Sequence, residues 1–156
     1  MPSLRPATPD DLPAICRLVD EVNLHHYHGA PEVFLPALDP ERMASFWGDF
    51  LTRGDAAIYV AEVDGALVGF VVVTQGEERT AFTQAITFTK IISLGVTETL
   101  RGQGIGTQLL VRAEAWSRER GVDEIRLNVW AFNQFAVEMY QKHEYAIRSH
   151  QLAKRI

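Results

Sequence analysis

Only one cysteine, Cys16, occurs in the 156 residues, so the chain can form neither an internal disulfide nor a cysteine-based metal cluster. It sits among Ile15, Leu18 and Val19, neighbours that mark a buried structural thiol rather than a nucleophile. Blocks of like charge are also missing. The 15 basic and 20 acidic residues leave a net charge of −5, which argues against general nucleic-acid binding. No apolar run approaches membrane-spanning length, and no early apolar segment reads as a secretory leader; no membrane partner and a cytoplasmic location are expected. Without repeats, low-complexity tracts or linkers, one domain over residues 1–156 is expected, large enough for a continuous core. What remains is an ordinary globular composition, 47% apolar and 22% charged. Its mildly acidic balance suits a cationic substrate such as an amine without selecting one.

The most informative stretch is Arg101-Gly102-Gln103-Gly104-Ile105-Gly106. It follows a β-rich run ending at Val96 and opens a helical pattern of Ile105, Leu109, Ala113 and Trp116. Glycines leave backbone N–H groups free to close around an anion, and the positive end of the new helix favours that anion. Arg101 adds a fixed charge, so the segment reads as a pyrophosphate cradle at a strand-to-helix junction. A P-loop is a poor fit, because Gly106 is followed by Thr107-Gln108 and not Lys-Ser or Lys-Thr. The dinucleotide fingerprint fails as well, since the glycines fall at 102, 104 and 106.

Leu4–Ala7 reads as a strand, after which Thr8 or Asp10 caps a helix carrying Leu12, Ile15, Leu18, Val19 and Val22 at helical spacing. Pro13 favours Asp10 as the cap. A segment rich in His, Pro and Gly runs to residue 40, and Pro40–Leu51 is a second helix closed by Gly54. Ile58–Val63, Asp64-Gly65 and Ala66–Thr74 form a hairpin signal. The unbroken apolar run Leu67–Val73 marks a strand covered on both faces. A polar loop, Gly76–Thr83, leads to a strand over Ala85–Val96; Glu124–Trp130 alternates as a strand, and Asn133–Glu144 is helical. One or two closing strands are expected within Tyr145–Ile156. The order β-α-α-β-β-β-α-β-α-β gives an α/β class with a mixed sheet and helices on both faces.

In that order, the motifs resemble those of the GNAT acetyltransferase superfamily along essentially the whole chain. The resemblance is carried by Leu4–Leu12, by Leu94-Gly95-Val96 ahead of the R-x-x-G-x-G loop, and by Leu127-Asn128-Val129 followed by Asn133, Ala136, Tyr140 and Lys142. It implies a sheet of about six to seven strands, with the fourth and fifth splayed into a wedge for acetyl-CoA. It further implies that Leu94 and Val96 pair with the cofactor arm through their backbones, and that the Val96 amide polarises the thioester carbonyl as in an oxyanion hole. Residues 101–107, Arg101 through Thr107, would hold the pyrophosphate. Asn133 matches a position that touches the cofactor arm, and it equally suits a helix N-cap. Tyr140 matches the general acid that protonates the departing thiolate; the competing role is an amphipathic core tyrosine. Relatives often carry Gly-Phe where this chain has Glu144-Tyr145, so the helix end must differ or cost about 1–2 kcal/mol. Ile92 and Ser93 stand where relatives often have an acid, leaving the general base unassigned.

His25, His26 and His28, with Pro31–Phe34 beyond them, match a segment that lines the acceptor side in some relatives. An exposed polar helix end explains the same residues, and no second cluster accompanies them for a metal. Glu62 is a further candidate on the acceptor side, although it also suits a solvated strand end. Trp47 and Trp130 can line a pocket or fill the core. The expected activity is direct acetyl transfer from acetyl-CoA to a primary amine of a small molecule or protein, with no metal and with a homodimer allowed by the resemblance. A non-catalytic acyl-CoA-binding regulator on the same fold is the alternative, and an unrelated nucleotide-binding module a more distant one. Missing acid at 92–93 favours the regulator, whereas Tyr140 argues for the enzyme.

Overall fold

Apolar alternation along three adjacent strands decides the architecture. The computed structural model describes residues 2–156. Strands β1 (Ser3–Pro6), β2 (Ala56–Val63), β3 (Ala66–Glu78), β4 (Ile86–Val96) and β5 (Glu124–Leu127) form one sheet in that spatial order. Neighbours are antiparallel from β1 to β4, and β5 lies parallel to β4. Helices α1 (Leu12–Gly29) and α2 (Pro40–Thr52) pack through Ile15, Leu18, Trp47 and Phe50 onto Ile58, Val60, Phe70 and Val72. The opposite face carries α3 (Ile105–Glu119), whose Leu109, Leu110, Ala113 and Trp116 meet Tyr59, Val71 and Val73. Helix α4 (Gln134–Lys142) follows β5. The mixed sheet with helices on both faces is the expected architecture. The β3 run is covered on both sides, and Phe70 to Val73 are fully buried. Phe70→Ala would cost about 3–5 kcal/mol by that measure.

Local chemistry sets the boundaries. Thr8 precedes a short 3-10 turn, Pro9–Asp11, which runs into α1, so the α1 cap position falls at Asp11 and not at Asp10. The Asp11 carboxylate accepts from Thr8 N–H at 2.7 Å and from both Arg5 Nη atoms at 2.7 and 2.9 Å. That guanidinium holds the Asp11 carboxyl well below the usual carboxylate range. Asp39 caps α2 through Oδ1, accepting from the N–H groups of Glu41 and Arg42. In the β2–β3 turn, Asp64 and Gly65 have φ of 50° and 79°, the pattern of a tight hairpin.

Differences from expectation lie at the ends of elements, including β5, which stops at Leu127 and not at Trp130, and in the C-terminal segment. β3 continues through Gly76 to Glu78, because Ile86–Phe88 pair with it. α1 runs on to Gly29, which makes the histidine segment helical. The sheet has five strands, and no closing strand forms in 145–156. That segment is held instead by side chains, with Arg148 donating to both Glu124 oxygens at 2.8 and 2.7 Å. β5 pairs over only four residues, and the backbone beyond α4 has no strand partner on its outer edge.

Candidate functional site

Two irregularities of β4 open the sheet. Its pairing with β3 shifts between Val72 and Val73, which face Ser93 and Ile91. Ile92 is thus the extra residue of a β-bulge, a device that bends a strand and increases its twist. On the other edge, the parallel ladder with β5 ends at Ile91 and Leu127, while β4 itself continues to Val96. The strands therefore part from residue 92 onward. Thr97 N–H donates to Val68 O of β3 at 2.8 Å. By strand alternation the N–H and C=O of Val96, and those of Leu94, point the other way, toward the open side. The sequence implied such a wedge, and a cavity of about 850 Å³ occupies it.

The glycine loop forms one wall. Gly102 and Gly104 have φ of 76° and 82°, and a Cβ on either would meet no atom within 4 Å. A side chain there would be strained and would project into open space, as expected where backbone must face a ligand. The first intrahelical bond of α3 runs from Gln108 N–H to Gly104 O, leaving the earlier N–H groups of that turn free for an anion. Arg101 Nε donates to Val96 O at 3.0 Å, tying the loop to the strand end, and the residue lines the cavity. Glu21 fastens the other side of the strand end by accepting from Thr97 Oγ1 at 3.0 Å.

The cavity brings together most of the residues expected at the cofactor. Leu94, Val96, Arg101, Gly102, Gly104, Gly106 and Thr107 line it from β4 and the loop, and Asn133 and Tyr140 from the α4 side. Gln103 and Ile105 do not: Gln103 is exposed, and Ile105 is buried against Leu109 in the core. Asn133 caps α4 by accepting from Ala136 N–H at 3.3 Å, so the cap and the cavity position coincide. Tyr140 packs at 5.7 Å from the Tyr145 ring, and burial pushes its phenol up to about 12. The end of α4 fixes this pair. Tyr145 N–H donates to Tyr140 O and Glu144 N–H to Gln141 O, the two bonds of a Schellman motif. Glu144 takes the left-handed position at φ 65°. The expected helix-end penalty is therefore accepted and not avoided.

On the acceptor side the histidines separate. His26 and His25 line the large cavity, whereas His28 lines neither cavity and is exposed. Glu62 is removed from the site, because its carboxylate accepts from Arg5 Nε at 3.1 Å, on the β1–β2 side of the sheet. His26 stacks on Phe34 at 4.9 Å and meets Phe132 edge-on at 6.0 Å. Trp130 completes the aromatic group at 5.0 Å from Phe34. Gly29 permits this packing, since a Cβ there would lie 2.4 Å from the Phe132 ring. Burial, and then the neighbouring His25, lower the His26 pKa from 6.5. Cys16 lines neither cavity, and burial raises its thiol pKa.

A second, more open cleft of about 520 Å³ lies between α1, α2 and the bulge of β4. It shares Val22, His26, Ile92 and Ser93 with the wedge. Trp47 forms part of its floor while remaining a core residue. Among the described residues no group of three or more His, Cys, Asp or Glu could hold a metal ion, and no helix is long and apolar enough to cross a membrane.

A wedge between parting strands, a glycine loop at a helix start and a tyrosine opposite are the features that the sequence resemblance led one to expect around this cavity. A family model described as the acetyltransferase (GNAT) family matches residues 22–145, and the chain belongs to that family. An N-alpha-acetyltransferase of Sulfurisphaera tokodaii is 33% identical over 101 residues, which cover 62% of this chain and 60% of that protein. The chain thus matches less than two thirds of that curated relative. A mutant of the BH1408 protein from Bacillus halodurans superposes with a TM-score of 0.89 at 22% identity, over 99% of each chain. The aminoglycoside acetyltransferase AAC(6')-Iy, bound to a bisubstrate analog built on CoA, gives 0.81 at 14% identity, over 100% of this chain and 98% of that one. At such identities, the structural likenesses speak for the fold.

Proposed function

We propose that the protein is an N-acetyltransferase that moves an acetyl group from acetyl-CoA to a primary amine by direct attack in a ternary complex. The observation that carries this reading is the meeting of two cavities at Ile92, Ser93 and His26, one backbone-lined and one apolar. Acetyl-CoA supplies an activated thioester, and the residues present fit it: free N–H groups and Arg101 suit a pyrophosphate, and the unpaired β4 edge suits an extended arm. Leu94 and Val96 align that arm through backbone groups, and the Val96 N–H stabilises negative charge on the carbonyl oxygen. The amine nitrogen forms the new N–C bond as the C–S bond breaks.

Two protons then need places. A lysine-type ammonium, with pKa near ~10.4, is far too weak an acid for His26 to deprotonate directly. The amine therefore attacks as its neutral fraction. After attack the nitrogen is much more acidic, and the neutral His26 imidazole accepts its proton and passes it to solvent through the cleft. Tyr140 holds its own proton firmly, so it acts first as a hydrogen-bond donor to the sulfur as thiolate charge develops.

Thiol release from acetyl-CoA in the presence of a panel of primary amines tests the activity. A regulator on the same fold would bind acetyl-CoA and release no thiol beyond the rate without amine. The neutral fraction of the amine already makes kcat/KM for the acceptor fall with pH below the amine pKa, and His26 as proton acceptor predicts an added steepening below about 6.5, the ordinary value from which His26 is lowered. That added steepening should disappear in His26→Gln with acetyl-CoA affinity unchanged. An identical steepening in that variant assigns the proton to another group.

A further inference from the structure

The open cleft between α1 and α2 has a chemistry of its own. Its walls are Val19, Leu35, Leu38, Met43, Phe46 and Trp47. Leu35 and Phe46 stand 64% and 53% exposed, and both flank this one depression. Apolar side chains left so open around a single cleft are better satisfied by a ligand than by water. Charge in the lining is sparse and balanced. Asp39 is its one carboxylate, and its Oδ1 already accepts from two N–H groups at the start of α2. Arg42 is exposed at the rim and forms no salt bridge with any described residue. No acid stands at the junction with the wedge, where Ile92 and Ser93 lie.

We infer that this cleft is the acceptor site and that it takes a free α-amino acid with an aromatic or branched apolar side chain. The inference rests on the acetyltransferase reading proposed above and names the substrate class of that site. The apolar side chain covers Leu35, Met43 and Phe46, the carboxylate meets Arg42, and the amine reaches the wedge past Ile92 and Ser93. The deduction also agrees with the proton chemistry. An α-amino group is less basic than a lysine amine, although the carboxylate of a free amino acid holds it above the ~8 of a peptide terminus, so the gain in neutral fraction is modest where no carboxylate base is at hand. A polycationic sugar is opposed on each count: its ammonium groups find one partly engaged carboxylate, they approach Arg42, and their polar surface would cover apolar walls. The transfer forms an N–C bond to the amino acid while the amine proton leaves to solvent, breaks the C–S bond of acetyl-CoA, and yields an N-acetyl amino acid and a thiolate that takes a proton from solvent to become the free thiol.

The test compares phenylalanine, phenethylamine, phenylalaninamide, lysine and the aminoglycoside neamine as acceptors. It also measures calorimetric binding of phenylalanine to the protein saturated with coenzyme A. Phenylalanine should give the highest kcat/KM, with neamine lowest. Arg42→Gln should raise KM for phenylalanine by about 1.5- to 5-fold, the range for a charge pair open to solvent, and leave KM for phenethylamine unchanged. Phenylalaninamide should resemble phenethylamine and not the free acid. A preference for neamine or lysine, or equal KM effects on all acceptors in Arg42→Gln, overturns the inference while the acetyltransferase reading stands. So does a preference for the amide, which would indicate a peptide N-terminus. If no amine releases thiol, the activity reading fails, and calorimetry then decides the cleft by itself. Saturable phenylalanine binding that weakens in Arg42→Gln supports the assignment; its absence removes it.

Discussion

Gly104→Ala and Gly104→Glu together separate backbone strain from charge in the glycine loop. Either substitution places an L side chain at φ 82°, where no neighbour lies within 4 Å to clash with it. The left-handed conformation costs about 1–2 kcal/mol. A stiffer unfolded chain returns about 0.4–1 kcal/mol of that cost. Both variants should consequently lose about 0.5–1 kcal/mol of stability, a fall in Tm of roughly 1–4 °C for a chain of this size. Only Glu adds an anion facing the pyrophosphate. At a separation of about 5 Å, with an effective dielectric between about 20 and 80, repulsion amounts to about 1–3 kcal/mol. The Glu variant should therefore bind acetyl-CoA about 5- to 150-fold more weakly than the Ala variant, at closely similar stability. Calorimetry at low and high salt is the assay. The gap should narrow as the screening length falls from about 10 Å at 0.1 M to about 3 Å at 1 M. Equal affinities of two folded variants would mean that no phosphate lies against this loop.

Tyr140→Phe keeps the ring and its contact with Tyr145 and removes the hydroxyl. If Tyr140 donates a hydrogen bond to developing thiolate charge, kcat should drop about 10- to 150-fold, the value of a charged hydrogen bond. A larger loss, up to about 10⁴-fold, would indicate that the proton itself is transferred in the limiting step. An unchanged kcat with an efficient acceptor would make the residue structural. Glu144→Gly should stabilise the fold by about 0.5–1 kcal/mol, since glycine accepts the φ of 65° without penalty and the two cap bonds are backbone bonds. Urea unfolding measures the gain, and a lower midpoint than wild type would show that Glu144 does not occupy the left-handed region in solution.

The residues that line the wedge were largely named from the sequence, because the glycine loop is local in sequence. An R-x-x-G-x-G segment between an apolar strand and an amphipathic helix specifies a loop, its free N–H groups and its dipole within a few residues. Gln103 and Ile105 were the exceptions. A hexamer that presents its backbone still has side chains, and helix periodicity sends Ile105 into the core beside Leu109 and Leu110. Asn133 and Tyr140 were named by the family resemblance and not by periodicity, and both line the cavity from the α4 side. Glu62 stayed open between a solvated strand end and the acceptor side because it lies near a turn on a strand whose inner face is covered. Its fate depends on Arg5, 57 positions away, a partner that strand alternation cannot reveal.

The cleft proposed for the acceptor is assembled by tertiary packing, and of the His and Pro-x-x-Phe segment singled out in the sequence only His26 lines it. Its walls come from α1, the segment before α2, α2 itself and two residues of β4, each of which reads in isolation as an ordinary amphipathic surface. The bulge at Ile92 is equally hidden, because register is a property of a strand pair and not of either strand. Yet that bulge connects the two halves. It ends regular pairing just where β5 stops, so the wedge opens on one side, while Ile92 and Ser93 border the cleft on the other. A donor held along the backbone edge and an amine held against apolar side chains can then meet across one strand. On the proposed reading, the glycine loop needs only the pyrophosphate geometry and the cleft chooses the acceptor. Arg42 is exposed and can vary freely there, whereas Met43 packs against the core and Phe46 lies edge-on to Trp47 and Phe50, so changes at those two positions are tied to the packing of α2.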